Sequence, residues 1–207
     1  MTSGMTPWLK QIRQVYGPRK EYLKWRIHGK PLPPPHVVKQ KAIRDHSHLF
    51  GLKILVESGT YLGEMVEAQR KHFRRIISIE LSQSLFQNAK EKFQRYQHIE
   101  ILHGDSGELI KGIVNKLNEP ALFWLDGHFS GGTTAKARLE TPILDELGAI
   151  LTTSMDHVVL IDDARLFCGD HDYPTIKGLE EFIAGKRNDY NLTVRDDIIR
   201  LTKRFAG

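Results

Sequence analysis

The segment Ile54–Gly63 constrains the fold of this 207-residue chain more than any other stretch, and it reads ILVESGTYLG. Residues Ile54, Leu55 and Val56 form an apolar strand that continues through an acidic residue into a turn with glycines at positions 59 and 63. A strand that is apolar on both faces is typical of a parallel sheet covered by helices. Glycine lets the backbone approach a ligand closely. The segment therefore predicts an α/β domain with a ligand site at this turn.

Polar side chains also end the next two predicted strands, Arg75–Glu80 and Ile99–His103. A carboxylate at the tip of the second strand, Glu80, can accept hydrogen bonds from both hydroxyls of a ribose. Beyond the third strand, Asp105 can accept from the exocyclic amine of an adenine, while neighbouring amides such as that of Ser106 donate to the ring. Three successive strand ends therefore offer groups to a nucleoside.

Charge at the first turn separates two cofactors that contain a nucleoside. A dinucleotide needs G-x-G-x-x-G to seat its pyrophosphate on a helix N-terminus, whereas this chain has G-x-x-x-G preceded by Glu57. S-adenosylmethionine has no phosphate, and its sulfonium and ammonium groups suit a carboxylate. The pattern favours S-adenosylmethionine over NAD, although two glycines alone also occur in a purely structural turn.

From Leu52 to Phe205 the chain resembles the class I S-adenosylmethionine-dependent methyltransferases, and within them the metal-dependent O-methyltransferases. The E-x-G-x-Y-x-G form is similar to that of the catechol-type and antibiotic-sugar branches, and it matches Glu57, Gly59, Tyr61 and Gly63. The resemblance implies a Rossmann-like seven-stranded sheet, mostly parallel, with a C-terminal antiparallel hairpin and helices on both faces. It also implies cofactor-binding roles for Glu57, Gly59, Tyr61, Gly63, Glu80, Asp105 and Ser106.

Three aspartates follow the next two predicted strands, Ala121–Leu125 and Val158–Ile161. Asp126 ends the first of these strands, and Asp162 and Asp163 end the second. Adjacent parallel strands lie about 5 Å apart, so the three carboxylates can converge on one point. Hard oxygen ligands suit Mg²⁺, or Mn²⁺ as a close substitute. Each aspartate alone would also serve as a helix cap or a solvated loop residue.

The resemblance supports the metal site, because metal-dependent O-methyltransferases carry an aspartate after the fourth strand and a pair of metal ligands after the fifth. Asp163 stands where catechol-type members have an amide, which makes the chain more similar to the antibiotic-sugar branch. A divalent ion would lower the pKa of an acceptor hydroxyl and position its oxygen. We predict His128 as the general base, with Asp126 or Lys136 as alternatives.

Three further elements are predicted downstream of Asp126. Gly131 and Gly132 lie in a loop that leads to a helix from Pro142 to Leu151, with Thr141 as its N-cap. A second helix is expected over Tyr173–Gly185. The alternating stretch Asn191–Lys203 predicts two strands joined at Asp196 and Asp197.

Residues 1–48 are predicted to be a basic, aromatic- and proline-containing extension of a methyltransferase domain formed by residues 49–207. They hold ten lysines and arginines against Glu21 and Asp45, within a chain of net charge +5. Such a segment can bind nucleic acid, an anionic membrane or an acidic partner. The favoured interpretation is a cap or dimer arm. Helical spacing places four apolar side chains on one face that could dock on the enzyme domain: Trp8, Leu9, Ile12 and Val15.

The single cysteine, Cys168, excludes an intrachain disulfide, and no apolar stretch is long enough to span a membrane. A cytoplasmic location is expected. The sequence therefore predicts an S-adenosylmethionine-dependent O-methyltransferase, with Mg²⁺ as cofactor, that acts on a hydroxyl of a small molecule or sugar. A metal-independent enzyme using Asp126 and His128 remains open, as does a nucleic-acid- or partner-binding protein on the same fold.

Overall fold

The computed structural model describes residues 17, 19–126, 141–170 and 172–204, which form a sheet covered by helices. Seven strands in this part of the chain pair in the order β3-β2-β1-β4-β5-β7-β6. They are β1 Ile54–Ser58, β2 Arg75–Glu80, β3 Ile99–His103, β4 Leu122–Leu125, β5 Val158–Ile161, β6 Tyr190–Arg195 and β7 Ile198–Lys203. The predicted fold is confirmed, since β1 to β5 are parallel and β7 pairs antiparallel with β5 and β6.

Helices cover both faces of the sheet because the central strands are apolar on both sides. The helices are α1 His36–Phe50, α2 Glu64–Gln69, α3 Gln83–Phe93, α4 Ser106–Val114, α5 Ile143–Leu151 and α6 Ile176–Lys186, with a 3₁₀ turn at Ala164–Leu166. Buried side chains of α4, α5 and α6 form one core cluster with the sheet. Those of α1, α2 and α3 form a second cluster on the other face.

Strand register decides which residues meet at the carboxyl edge of the sheet. Ser58 pairs with Leu125 of β4 and with Ile79 of β2, and Leu125 pairs with Ile161 of β5. The residues that follow these positions therefore lie side by side. The chain order reverses between β1 and β4. A crevice at such a reversal is the usual ligand site of a parallel α/β sheet.

Two predicted helices begin later in the structure than their sequence suggests. Helix α5 starts at Ile143, and Pro142 occupies the cap position expected of Thr141. Helix α6 starts at Ile176, because the Thr175 hydroxyl accepts a hydrogen bond of 3.0 Å from the Gly178 amide and fixes the helix start there.

The β6–β7 hairpin has the two-residue turn predicted at Asp196 and Asp197. Both residues have positive φ, 53° and 62°. Positive φ at both central positions is the geometry that suits the right-handed twist of a hairpin. The Asp196 carboxylate also lies 3.3 Å from the Lys30 ammonium, so the turn contacts the N-terminal region.

Helix α1 begins within the segment predicted to be an extension, ends two residues beyond it at Phe50, and packs directly on the sheet. Ala42 and Ile43 are buried in the second core cluster. Upstream, Trp25 is also buried, and its indole donates a hydrogen bond of 2.9 Å to the Pro31 carbonyl. Positions 8, 9, 12 and 15 lie outside the described residues, and the boundary at residue 48 stays a prediction. No helix in the described part of the chain is long and apolar enough to cross a membrane.

The docking of α1 can be tested with Ile43→Ala. Ile43 is fully buried, so removing its side chain should lower the free energy of unfolding by about 2–5 kcal/mol. Leu49→Ala, on the exposed side of the same helix, should change it by no more than about 0.5 kcal/mol. Urea unfolding followed by circular dichroism measures both. Equal small effects would show that α1 is not part of the cooperative core.

Candidate functional site

The turn after β1 has the backbone geometry of a ligand cradle. Gly59, Tyr61 and Gly63 all have positive φ, at 84°, 48° and 68°. The amides of Gly59 and Thr60 donate to the Ile79 carbonyl at 3.0 and 3.1 Å, which ties the turn to β2. A β-carbon at Gly63 would stand 2.6 Å from the Phe93 ring. Only glycine fits that position without displacing a packed aromatic side chain.

Glu57 is a buried carboxyl group inside β1, next to this turn. Only 2% of the residue is exposed, and the Ser78 hydroxyl donates a hydrogen bond to its Oε2. Burial raises the pKa of Glu57 to about 8, and repulsion from Asp126 and Glu80 adds to this effect against the opposing Ser78 hydrogen bond. A cation bound at this position would stabilise the ionised carboxylate.

Glu80 ends β2, and Asp105 lies two residues after the end of β3, as predicted. The carboxylate of Glu80 accepts hydrogen bonds from the amides of Tyr61 (2.7 Å) and Ser82 (2.8 Å). These bonds fix its orientation and leave further lone pairs for a ligand. Asp105 caps α4 by accepting from the Gly107 amide at 2.9 Å. Its capping role explains its presence, and adenine contacts of Asp105 and Ser106 stay a prediction.

The three predicted metal ligands come together in the structure. Carboxylate oxygens of Asp126, Asp162 and Asp163 all lie within 4.8 Å of one another. The register explains this convergence, because Asp126 and Asp162 follow paired residues of β4 and β5. The backbone amide of Asp163 donates to Oδ1 of Asp162 at 2.9 Å, and Asp163 itself has φ of 54°. A left-handed non-glycine residue at a site is a conformation that the surrounding contacts must hold.

Lys39 of α1 contacts two of these aspartates, which the sequence prediction missed. Its Nζ donates a hydrogen bond to Oδ2 of Asp162 and lies 3.5 Å from Oδ1 of Asp163. Burial lowers the pKa of Lys39, but the combined attraction of Asp162, Asp163 and Asp126 outweighs this effect and holds that pKa above the usual value. The sequence signal for this contact is the start of a helix after Pro35. The interpretation of residues 1–48 as an extension does not place that helix on the sheet.

Arg165 is the second basic side chain of the cluster. Its Nη1 lies 2.8 Å from Oδ1 of Asp163 and also donates to Oδ2 of Asp197. The backbone amide of Arg165 donates to Oδ1 of Asp197 at 2.9 Å. Asp197 is buried in the β6–β7 turn. The hairpin therefore holds Arg165, and Arg165 holds Asp163.

The position of the predicted base, His128, lies outside the described residues, as do the predicted loop glycines Gly131 and Gly132, and Lys136. Another imidazole, His36, begins α1 and interacts electrostatically with Glu64 and Asp126. Burial lowers the pKa of His36 despite these carboxylates, so the ring is neutral near pH 7.

Glu146 of α5 is a second buried carboxyl group that sequence reasoning missed. It lines a small pocket shared with Asp126, Asp162 and Tyr173. Burial raises the pKa of Glu146 to about 7. Its Oε1 has no hydrogen-bond partner in the structure as described. A buried oxygen without a partner is costly, so ionisation of Glu146 is unfavourable in the structure as described.

Solved structures of methyltransferases share this fold, although no protein-family model matches the sequence and no curated protein is significantly similar to it. An O-methyltransferase from Bacillus cereus, in complex with SAH, is 14% identical with a TM-score of 0.61, over 94% of this chain and 96% of its own. TomG from Streptomyces achromogenes, in complex with SAM and involved in tomaymycin synthesis, is 17% identical with a TM-score of 0.59, over 90% and 88%. PaMTH1 from Podospora anserina, bound to SAH, is 14% identical with a TM-score of 0.58, over 99% and 100%.

The predicted resemblance to class I methyltransferases is therefore confirmed at the level of the fold. At identities of 14–17% the similarity describes the backbone arrangement. Conclusions about activity must come from the site residues of this chain.

The pKa of Glu57 gives a test of the site in the unliganded protein. Because burial raises the folded-state pKa from 4.5 to about 8, the folded state holds an extra proton between these values. The free energy of unfolding should therefore fall as pH rises through this window. In Glu57→Gln this contribution should vanish, so the difference in unfolding free energy between wild type and variant should decline from pH 5 to pH 8.

Urea unfolding of both proteins at several pH values checks this expectation. Glu91→Gln, at an exposed position of α3, is the control and should follow the wild type at each pH. A difference between wild type and Glu57→Gln that stays constant with pH would contradict the assignment of a protonated Glu57.

Proposed function

We propose that this protein is an S-adenosylmethionine-dependent O-methyltransferase that transfers a methyl group to a hydroxyl of a small molecule or sugar. The observation that carries this proposal is the buried Glu57 behind a turn of positive-φ glycines. A cofactor with a sulfonium and an ammonium would place positive charge beside this buried carboxyl group and stabilise its ionised form. A pyrophosphate would instead bring negative charge to a buried acidic position.

The binding roles follow the order of the strands. Glu57 interacts with the cationic methionine end, and the backbone at Gly59, Tyr61 and Gly63 lines the cradle. Glu80, held by two backbone amides, binds the ribose hydroxyls. Asp105 and Ser106, at the start of α4, bind the adenine end.

Methyl transfer requires an acceptor oxygen in line with the sulfonium. The C–S bond breaks as the C–O bond forms, the sulfur leaves as a neutral thioether, and the hydroxyl proton passes to a base. His128 and Asp126 are the proposed residues for proton transfer. Among the described residues, the neutral His36 near Asp126 is a further acceptor for that proton.

We also propose that Asp126, Asp162 and Asp163 hold Mg²⁺ or Mn²⁺. Three hard oxygen donors within 4.8 Å of one another suit such an ion. When bound, the ion would supply a lowered pKa and a fixed position for the acceptor hydroxyl. The alternative is a metal-independent enzyme, which the Lys39 ammonium beside Asp162 favours. Turnover that survives a chelator would select the alternative.

For residues 1–48 we propose a cap that packs on the catalytic domain, in preference to an arm that binds nucleic acid. The burial of Trp25 and the 3.3 Å contact of Lys30 with Asp196 support this. Four basic side chains between residues 19 and 26 are exposed, so RNA binding that falls steeply with salt would argue for the arm. The single cysteine fits a cytoplasmic location.

Cofactor binding can be tested with Gly59→Val. Because Gly59 has φ of 84°, a β-branched residue would distort the cradle. Titration calorimetry should show S-adenosylmethionine binding to the wild type and none to the variant. Gly112→Val, at an exposed helical glycine with open space around it, is the control and should keep the wild-type affinity. Unchanged affinity in Gly59→Val would place the cofactor elsewhere.

The metal proposal can be tested with Asp126→Asn. Replacing one carboxylate ligand by a neutral amide should weaken Mn²⁺ binding about tenfold or more, while S-adenosylmethionine binding persists. Calorimetry of both ligands measures this. Asp145→Asn changes an exposed carboxylate near the site and should leave the Mn²⁺ affinity unchanged. Equal Mn²⁺ affinity in both variants would remove Asp126 from the ligand set.

A further inference from the structure

Lys39 lies at a place in the site that a divalent ion would also need. The exposed fraction of its side chain is 15%, against 1% for Asp162 and 8% for Asp163. Partly buried opposite charges in contact interact far more strongly than pairs on the surface. Lys39 is therefore part of the cluster and not a solvated side chain that happens to pass near it.

The packing of α1 fixes the backbone of Lys39 over the cluster. Successive residues of a strand face opposite sides of a sheet, so Asp126 and Asp162 continue the face of Trp124 and Leu160. That face is the one covered by α1, whose Ile43 belongs to the same core cluster. Lys39 precedes Ile43 by one helical turn. Its Cα is thereby held near the edge of the sheet, while its flexible four-carbon side chain allows the ammonium to change position.

Both carboxylate oxygens of Asp162 accept a hydrogen bond from the protein. Oδ1 accepts from the Asp163 amide at 2.9 Å, and Oδ2 accepts from Lys39. A divalent ion on a remaining lone pair of Oδ2 would lie next to the ammonium, and the two positive charges would repel each other strongly at this partly buried position. Arg165 differs, because Asp197 outside the triad also anchors it.

Charge in the cluster is compatible with such an exchange. Four carboxylates, those of Asp126, Asp162, Asp163 and Asp197, face the two cations Lys39 and Arg165. The remaining negative charge attracts a divalent ion, which neutralises the aspartates better than one ammonium does. The exchange therefore replaces a single positive charge by a double one at the same oxygens.

We propose that Lys39 is an internal competitor of the divalent ion: its ammonium occupies Asp162 when the site holds no metal, and metal binding expels it. This inference rests on the proposed metal site. Lys39 thereby sets the metal concentration at which the site fills. It is a positioning residue that acts through Asp162.

Mn²⁺ titration calorimetry of the full chain tests this competition. Lys39→Met keeps the length of the side chain and removes its charge. In the variant no ion pair has to break before the metal binds, so the Mn²⁺ affinity should rise about tenfold or more. Lys41→Met is the matched control on the same helix, where an exposed lysine pairs with Asp45. It makes the same change in net charge and should alter the Mn²⁺ affinity less than about twofold, because exposed charges are screened.

A second measurement uses the wild-type protein and does not depend on how the variant folds. Reductive methylation followed by mass spectrometry reports how accessible each lysine amine is. Labelling of Lys39 should be slow without metal and should rise at saturating Mn²⁺, while labelling of Lys41 stays constant.

Three results would overturn the inference, and they separate it from the proposed metal site. If wild type and Lys39→Met bind Mn²⁺ equally, or if Mn²⁺ leaves the labelling of Lys39 unchanged, the competition is absent and the metal site stands. If neither protein binds Mn²⁺, the metal site itself is wrong and the inference falls with it. Tighter binding in Lys39→Met together with metal-dependent labelling supports it.

Discussion

The accumulation of buried negative charge at one edge of the sheet is the constraint on which the site depends. Parallel pairing of β2, β1, β4 and β5 brings their carboxyl ends together, and an acidic residue lies at or next to the end of each strand. Glu57, Glu80, Asp162 and Asp163 are all buried. Burial and mutual repulsion both oppose the ionisation of these carboxyl groups. A cation beside them favours the ionised form, so the features of the site can be related to the cations that it contacts.

Part of the positive charge comes from the protein itself. Lys39 reaches the tip of β5 from α1, and Arg165 links Asp163 to Asp197 in the hairpin turn. Both contacts join elements that are far apart in the chain. The network therefore connects helix α1, the central sheet and the C-terminal hairpin at the place where the proposed chemistry occurs. The same ion pairs that compensate the acidic residues also join these three elements.

In the proposed function, cationic ligands supply the remaining positive charge, which links the stability of the protein to its proposed activity. Glu57, with a pKa of about 8, and Glu146, with a pKa of about 7, are carboxyl groups whose ionised forms are unfavourable without a partner. Such groups reduce the stability of the unliganded protein and are common where binding is needed. A cationic methyl donor would relieve this cost at Glu57, so binding energy and charge compensation coincide there.

Local patterns in the sequence were enough to predict the central sheet and most of its polar strand ends. β2, β3 and β5 have their predicted bounds, because apolar runs bounded by turn residues and charges are a local signal, whereas β1 extends beyond the predicted Val56 to Ser58. The aspartate triad could also be predicted, since parallel strands always bring their carboxyl ends to one edge. The starts of α5 and α6 were harder to predict, because capping by Thr175 depends on side-chain geometry.

The sequence by itself determined the positions of the parallel strands along the chain, the glycine turn and the acidic character of the site. Only the tertiary structure decided which cations face those acids. Lys39 lies 123 positions before Asp162, and Arg165 reaches an aspartate 32 positions away. No local periodicity encodes such contacts, because they depend on which face of the sheet α1 covers and on where the hairpin turns. The physical reason is that strand formation is a short-range property, whereas charge compensation depends on distances set by the packed fold.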